Sequence, residues 1–378
     1  MDEISSLAPH LAHVSTYPPK RCGLASFADA LDQALEPLLC TVPVPVLDGG
    51  DEPGAIVADD PRSYLRAAVA CNVRADAVLL HHEFGIFGGE SGAYVLGFAE
   101  ELTVPLLTVL HTVKADLSAT ERAVLGRVIE LSAAVVVLCE PARRILERLG
   151  HGHARIVTIP HGAPLVRTTP LAVPRSARPM VLSFGLLGPG KGIELVLDAL
   201  PAVVDKVPDV RYVWAGATHP RVIQAEGERY RLRLGDRVRA LGLEDHVVLW
   251  DEYLTAAQLR SALGAADVLV TPYPNRTQIS SGPLTFGFAA RVPCVATPFP
   301  YALDLLGGER GHIVETTDEV AGAIITSLTD DDATERLLHR GDRRRAAMGW
   351  PRVGARYAGL VRAVLEAGHA PVARAGHP

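Results

Sequence analysis

Two doubly wound α/β units, Rossmann-like and facing a central cleft, are the architecture this sequence predicts. Three observations lead there. Short β-branched runs alternate with helix-length amphipathic segments from end to end. One proline-rich stretch without helical period, APLVRTTPLAVPRSARP at 163–179, interrupts the alternation, which then restarts. A chain of 378 residues is also too long for one ordinary core. The division predicted is a first unit at 1–165, a linker at 166–179 and a second unit at 180–345. A helical end at 346–378 packs back across onto the first unit.

In the first unit the apolar runs predict strands at 10–16, 42–47, 77–82, 105–111, 134–139 and 155–160, with helices at 24–38, 90–102, 119–131 and 141–149. After the linker, strands are predicted at 180–185, 210–216, 246–251, 267–273, 293–298 and 312–315. Helices fall between them, at 191–205, 221–241, 255–265, 282–290 and 317–328. Residues 331–367 read as helix with little strand signal. In open parallel sheets ligands bind beyond the carboxyl ends of the strands, and the loops there are where function is sought.

Composition narrows the classes. Hydrophobic content of 48% with 21% charge is that of a well-packed soluble protein, and a net charge of −6 gives no general attraction to nucleic acid. Arg343, Arg344 and Arg345 read as a solvated helix face, with peripheral membrane contact as the other reading. Five scattered cysteines without a C-x-x-C pair fit neither a disulfide framework nor a zinc site, and point to a reducing cytoplasm. The N-terminus MDEISSLAPH has no apolar core, which predicts no signal peptide, and no apolar run reaches the ~20 residues of a membrane helix.

The stretch GLLGPGKG, 185–192, matches the G-x-x-x-x-G-K spacing of a P-loop. Gly192 stands where that loop needs a magnesium-binding hydroxyl, and Pro189 removes one N–H, which argues against ATP hydrolysis here. Gly188 and Gly190 still let a ligand approach the backbone, and Lys191 adds a positive charge at a helix start. The same stretch also reads as a plain strand–helix turn. A second helix start lies at 280–283, SSGP, where Ser280, Ser281, Gly282 and Leu284 offer amides or caps and Arg276 precedes them on a loop. Two such loops in one unit point to a diphosphate site. In the first unit Gly23 opens a helix after STYPPKRC. His81, His82 and Glu83 end a strand, but alternation sends neighbours to opposite faces, so they cannot converge on one metal. Glu83 reads as a substrate contact or a buried ion pair, and His111, also ending a strand, as a hydrogen-bond partner for a substrate hydroxyl. Asp330 and Asp332 read as helix capping, which leaves no metal site.

Together these motifs resemble retaining glycosyltransferases of the GT-B fold, in the large family four that includes many bacterial mannosyl- and glucosyltransferases. TYPPKRCG (16–23), HEFGIFGG (82–89), LHTV (110–113), IPHGAP (159–164), FGLLGPGKG (184–192) and WPRVGARYAGLV (350–361) carry the resemblance over nearly the whole chain. It implies transfer of a sugar from a nucleoside-diphosphate donor with the anomeric configuration kept. By that resemblance Lys191 contacts phosphate, His111 contacts the donor sugar and Gly23 forms a turn over the diphosphate. Two positions depart from the family: Leu186 replaces its phosphate arginine, and its E-x7-E element is here Gln278 and Phe286.

The expectation is a cytoplasmic, metal-independent, retaining hexosyltransferase without cofactor. Lys191 and Arg276 would meet the diphosphate, helped by amides at Gly23 and 281–284. His111 and Gln278 would orient the donor sugar, and Glu83 would contact a small-molecule or glycan acceptor. The region of Trp250, Asp251 and Glu252 would hold base and ribose. GDP-mannose is the donor the family implies, with UDP- or ADP-glucose as alternatives. A sugar phosphorylase and a non-catalytic sugar- or nucleotide-binding protein are the rival readings.

Overall fold

The computed structural model describes residues 8–50, 52–164 and 178–368. The predicted linker therefore lies almost entirely outside the described residues, as do 1–7 and 369–378. The chain divides into two compact units, one of Met1–Gly162 with Trp350–Pro378 and one of Ala163–Gly349.

The first unit is built on a parallel sheet of seven strands. These are β1 (His10–Ser15), β2 (Cys40–Leu47), β3 (Ile56–Val57), β4 (Ala77–His82), β5 (Leu106–Leu110), β6 (Ala134–Val137) and β7 (Ile156–Thr158), in the order β3-β2-β1-β4-β5-β6-β7. All six residues of β4 are buried, as expected of a central parallel strand covered on both faces. Alternation sorts its side chains. Ala77 and Leu79 join Leu11, Val109 and Val136 beneath the helices Gly23–Leu35 and Trp350–Glu366. Val78 and Leu80 join Ala12, Val14, Tyr64 and Phe98 on the other face.

The helix Trp350–Glu366 buries Val353, Tyr357, Val361 and Val364, a spacing of three or four residues that makes one apolar stripe. It packs on the helix Gly23–Leu35. The backbones meet closely at Gly354, where a β carbon would come within 2.7 Å of the Ala34 carbonyl oxygen. The chain thus returns to its first unit through this helix.

The second unit has a parallel sheet of six strands: β8 (Met180–Phe184), β9 (Arg211–Ala215), β10 (Val247–Trp250), β11 (Val268–Thr271), β12 (Cys294–Ala296) and β13 (His312–Ile313). Their order is β10-β9-β8-β11-β12-β13. Trp214, Tyr212, Leu197 and Ile324 are among its core residues.

Several elements differ from the sequence-based expectation. A helix at Pro61–Arg74 and another at Pro300–Leu306 had no predicted counterpart. The segment 221–241 is two helices, Pro220–Glu226 and Arg229–Ala240, because Gly227 takes φ 62° between them. The arginine cluster is a solvated face only in part, since Arg343 is exposed and the other two are engaged. Arg345 has only 7% of its side chain exposed, lies 5.3 Å from the Phe288 ring centre and pairs with Asp342, while Arg344 pairs with Asp304. A guanidinium with a carboxylate, a carbonyl and an aromatic face can be buried where an unpaired one could not. Asp330 caps the helix Asp331–Ala346, accepting from the Ala333 amide at 2.8 Å.

Candidate functional site

In the second unit the strand order reverses direction at β8, whose neighbours are β9 and β11. The loops leaving β8 and β11 therefore lie at the carboxyl edge of this sheet beside the switch in strand order, where open parallel sheets bind ligands. The β8 loop stays close to the sheet at first. Leu187 is fully buried, and its amide donates to the Ala217 carbonyl at 2.8 Å. Pro189–Lys191 then form a single 3₁₀ turn, and Gly192, at φ 62°, starts the helix Ile193–Lys206. The Lys191 amide donates to the Gly188 carbonyl and the Gly192 amide to that of Pro189, at 2.9 and 3.3 Å. Two of the loop's donors are thus occupied within the turn.

Lys191 places its ammonium 4.7 Å from the centre of the Tyr273 ring, at cation–π distance. Tyr273 is 2% exposed and stacks on Phe299 at 5.3 Å, and its hydroxyl lies 3.5 Å from Ser281 Oγ. Ser281 caps the helix Gly282–Ala289 by accepting from the Leu284 amide at 3.2 Å. The two helix starts singled out in the sequence therefore converge on Tyr273, a residue the sequence reading passed over. Its signal was its place just past an apolar strand, beside the glycine-rich loop's future neighbour Pro272. Lys191 also acts on His219, whose imidazole is held below its ordinary pKa by burial first, then by Arg221 and Lys191.

The remaining residues predicted for this unit have local partners. The Leu284 amide serves the cap, as noted, and not an open anion site. Gln278 donates to the Ser280 carbonyl at 2.8 Å. Arg276 is 56% exposed and pairs with Glu315 at 3.3 Å. The Trp250 carbonyl accepts from the Gly216 amide at 2.9 Å, and Glu252 accepts from Gln258 at 3.2 Å. Asp251 is taken up by Arg231 at 2.8 Å. Arg231 was not foreseen. Its side chain is 13% exposed, and it also donates to the Gly216 carbonyl at 2.8 Å and to Thr218 Oγ1 at 3.2 Å. Phe286, in place of an acidic residue, is half-buried on the helix Gly282–Ala289.

In the first unit the order reverses at β1, between β2 and β4. The carboxyl ends of β1, β4 and β5 bring histidines together on one face. His13 Nδ1 is 2.6 Å from Asp32 Oδ1, and Tyr17 donates to the other oxygen of Asp32 at 2.8 Å. The His13 and His81 ring centres are 4.7 Å apart, and His81 Nδ1 is 2.8 Å from His111 Nε2. Phe27 packs its ring edge-on against His81, His111, His161 and Trp350 at 4.8–5.3 Å. Burial lowers the pKa of His81 well below the ordinary value, that of His111 to about 3 and that of His161 to about 4. His82 points to the other face, against Phe84, and burial lowers it to about 4. The adjacent histidines are thus separated by the pleat. Glu83 accepts from Thr112 Oγ1. Gly23 is exposed at the start of its helix, and a β carbon there would meet no atom within 4 Å. The cap of that helix is Cys22, whose sulfur accepts from the Ala25 amide at 3.4 Å.

Among the described residues no group of three or more His, Cys, Asp or Glu side chains is placed to hold a metal ion. Nor is any helix there long and apolar enough to cross a membrane.

Residues 178–330 match the family described as Glycosyl transferases group 1. No curated protein sequence matches at a significant level. Solved structures do match over nearly the full length. Anabaena Alr3699/HepE in complex with UDP and glucose aligns at TM-score 0.74 and 15% identity, covering 94% of this chain and all of that one. Sucrose-phosphate synthase from Thermosynechococcus elongatus aligns at TM-score 0.76 and 18% identity, over 95% of this chain and all of its own. A trehalose-6-phosphate protein from E. coli bound with UDP-2-fluoro glucose aligns at 0.71 and 15%, over 96% and 100%. The chain has the two-domain α/β fold of GT-B glycosyltransferases, and its residues 178–330 match the Glycosyl transferases group 1 family.

Proposed function

We propose that this protein transfers a hexosyl group from a nucleoside-diphosphate sugar to an acceptor hydroxyl, with retention of the anomeric configuration. The observation that carries the reading is the convergence of Lys191 and the Ser281 helix start on Tyr273, inside the segment that matches the family. A diphosphate leaving group needs positive charge and amide dipoles fixed in advance of the reaction. Lys191 and the helix starting at Gly282 supply them at the carboxyl edge of the second sheet. Arg276 contributes by exchanging Glu315 for a phosphate oxygen. The C1–O bond to the diphosphate breaks, the acceptor oxygen bonds to C1, and its proton passes to the departing phosphate oxygen. In the first unit His111 addresses the donor sugar and Glu83 the acceptor. The charge is met by these groups without a divalent ion.

Two of the fold neighbours are complexes, one with UDP and glucose and one with UDP-2-fluoro glucose, so UDP-glucose is the first donor to test and GDP-mannose the second. Release of nucleoside diphosphate is measured with each donor over a panel of sugar acceptors, with and without EDTA. Acceptor-dependent release that is indifferent to EDTA and yields the retained anomer supports the proposal. A second reading, a sugar phosphorylase, draws on Phe286 and on the engagement of Asp251 by Arg231, which together remove two ribose acceptors. It predicts the opposite result: turnover with inorganic phosphate and no use of nucleotide sugars.

A further inference from the structure

The buried histidines of the first unit carry more information than their proximity. His81 and His111 share one hydrogen bond, between His81 Nδ1 and His111 Nε2 at 2.8 Å, with their rings nearly parallel at 4.9 Å. One nitrogen donates and the other accepts, and burial keeps both rings neutral. His81 has no exposed surface, and its second nitrogen, Nε2, has no hydrogen-bond partner. That nitrogen bears either a hydrogen or a lone pair. A buried N–H without an acceptor is the costlier orphan, and orphaned buried N–H groups are rare in folded proteins. The hydrogen of His81 therefore sits on Nδ1 and is given to His111 Nε2. His111, being neutral, must then carry its own hydrogen on Nδ1.

We infer that His81 is a positioning residue that fixes His111 as a neutral Nδ1–H donor. The backbone supports this arrangement, since the His111 amide donates to the His82 carbonyl at 3.1 Å and holds the two strand ends in register. Phe27 covers both rings edge-on, at 5.3 and 5.0 Å. Asp32, which contacts the cluster through His13, is engaged by His13 and Tyr17. The consequence rests on the transferase reading. His111 then offers a hydrogen to an oxygen of the sugar and takes none away, so the acceptor's proton does not end on His111.

The inference can be read without substrate. Long-range ¹H–¹⁵N correlation spectra of protein labelled at histidine report which ring nitrogen is protonated, and a His111→Asn variant assigns the His111 signals. In the wild type, His111 Nδ1 gives the protonated signal and Nε2 the unprotonated one between pH 5 and 8. His81→Asn keeps a donor near the Nδ1 position and preserves that pattern. His81→Leu removes the donor, and His111 shifts toward Nε2–H. Turnover falls tenfold or more in His81→Leu and by less than threefold in His81→Asn. A wild-type His111 protonated on Nε2, or an unchanged pattern in folded His81→Leu, overturns the inference. If His81→Leu does not fold, the wild-type spectrum alone decides. Absence of any transferase activity alongside the expected spectra would count against the function and leave the tautomer standing.

Discussion

Gly192 stands so close to Pro272 that a β carbon on it would lie 2.1 Å from the Pro272 carbonyl oxygen. The residue after the lysine is thus chosen by packing between the β8 and β11 loops. Its φ of 62° adds a conformational reason, because L-residues with a side chain avoid that region. A Ser or Thr of the P-loop type has no room there. Gly192→Ser, which completes the P-loop motif, should destabilise the protein by about 3 kcal/mol or more and confer no ATPase activity. Urea unfolding and phosphate release from ATP check both. A stable, ATP-hydrolysing variant would reverse our reading of this loop.

Tyr273 should matter through its ring. Lys191→Ala should lower turnover by roughly one to three orders of magnitude, the loss typical of a charge-stabilising group. Tyr273→Leu removes the aromatic face under the ammonium and should lower turnover about tenfold, while Tyr273→Phe keeps that face and should stay within threefold. Calorimetric titration with UDP separates binding from turnover. Equal activity of all three variants would dissociate Lys191 and Tyr273 from the diphosphate.

Acid should unfold this protein early. Burial holds His82 and His161 at about 4, against an ordinary value of 6.5, so the unfolded chain binds protons that the folded one refuses. Their neutral-form stability is complete above pH 6.5 and is lost as pH falls toward 4. The slope is about 1.4 kcal/mol per pH unit for each, or roughly 3 for the pair near pH 5. His81, shifted in the same direction, adds to it. The urea midpoint should drop sharply between pH 7 and 5. The drop should be clearly smaller in the His82→Phe, His161→Phe double variant, where His81 and His111 remain, and a flat midpoint in the wild type would refute the source.

Gly354→Ala should loosen the C-terminal helix. The added methyl meets the Ala34 carbonyl at 2.7 Å and the Ala34 side chain at 2.9 Å, which forces the two helices apart. Overpacking of this kind costs about 1–3 kcal/mol. Hydrogen exchange across Trp350–Glu366 should accelerate with the loss. Wild-type protection there would show that the helices can shift without cost.

Each observed strand of the two sheets, β3 excepted, overlaps a run that the sequence marks as apolar and β-branched, because burial on both faces leaves a continuous signal. The helix Pro61–Arg74 was not legible. Leu65, Val69 and Val73 are exposed opposite its buried face, so apolar residues occur on both sides and blur the helical period. The Asp60 cap and Pro61 were the signals available. Arg345 misled for a related reason: three successive arginines read as solvated, and only the neighbouring Phe288 and Asp342 show why one of them turns inward.

The sequence by itself determined the alternation of strands and helices, the two sheets and the glycine-rich helix starts. These follow from periodicity and turn chemistry, which act over a few residues. Only the tertiary structure decided which side chains meet: Lys191 over Tyr273, Asp251 on Arg231, and His81 on His111. Each of those pairs joins separate loops, helices or strands, and the packing of whole elements sets their distance. No local pattern encodes it.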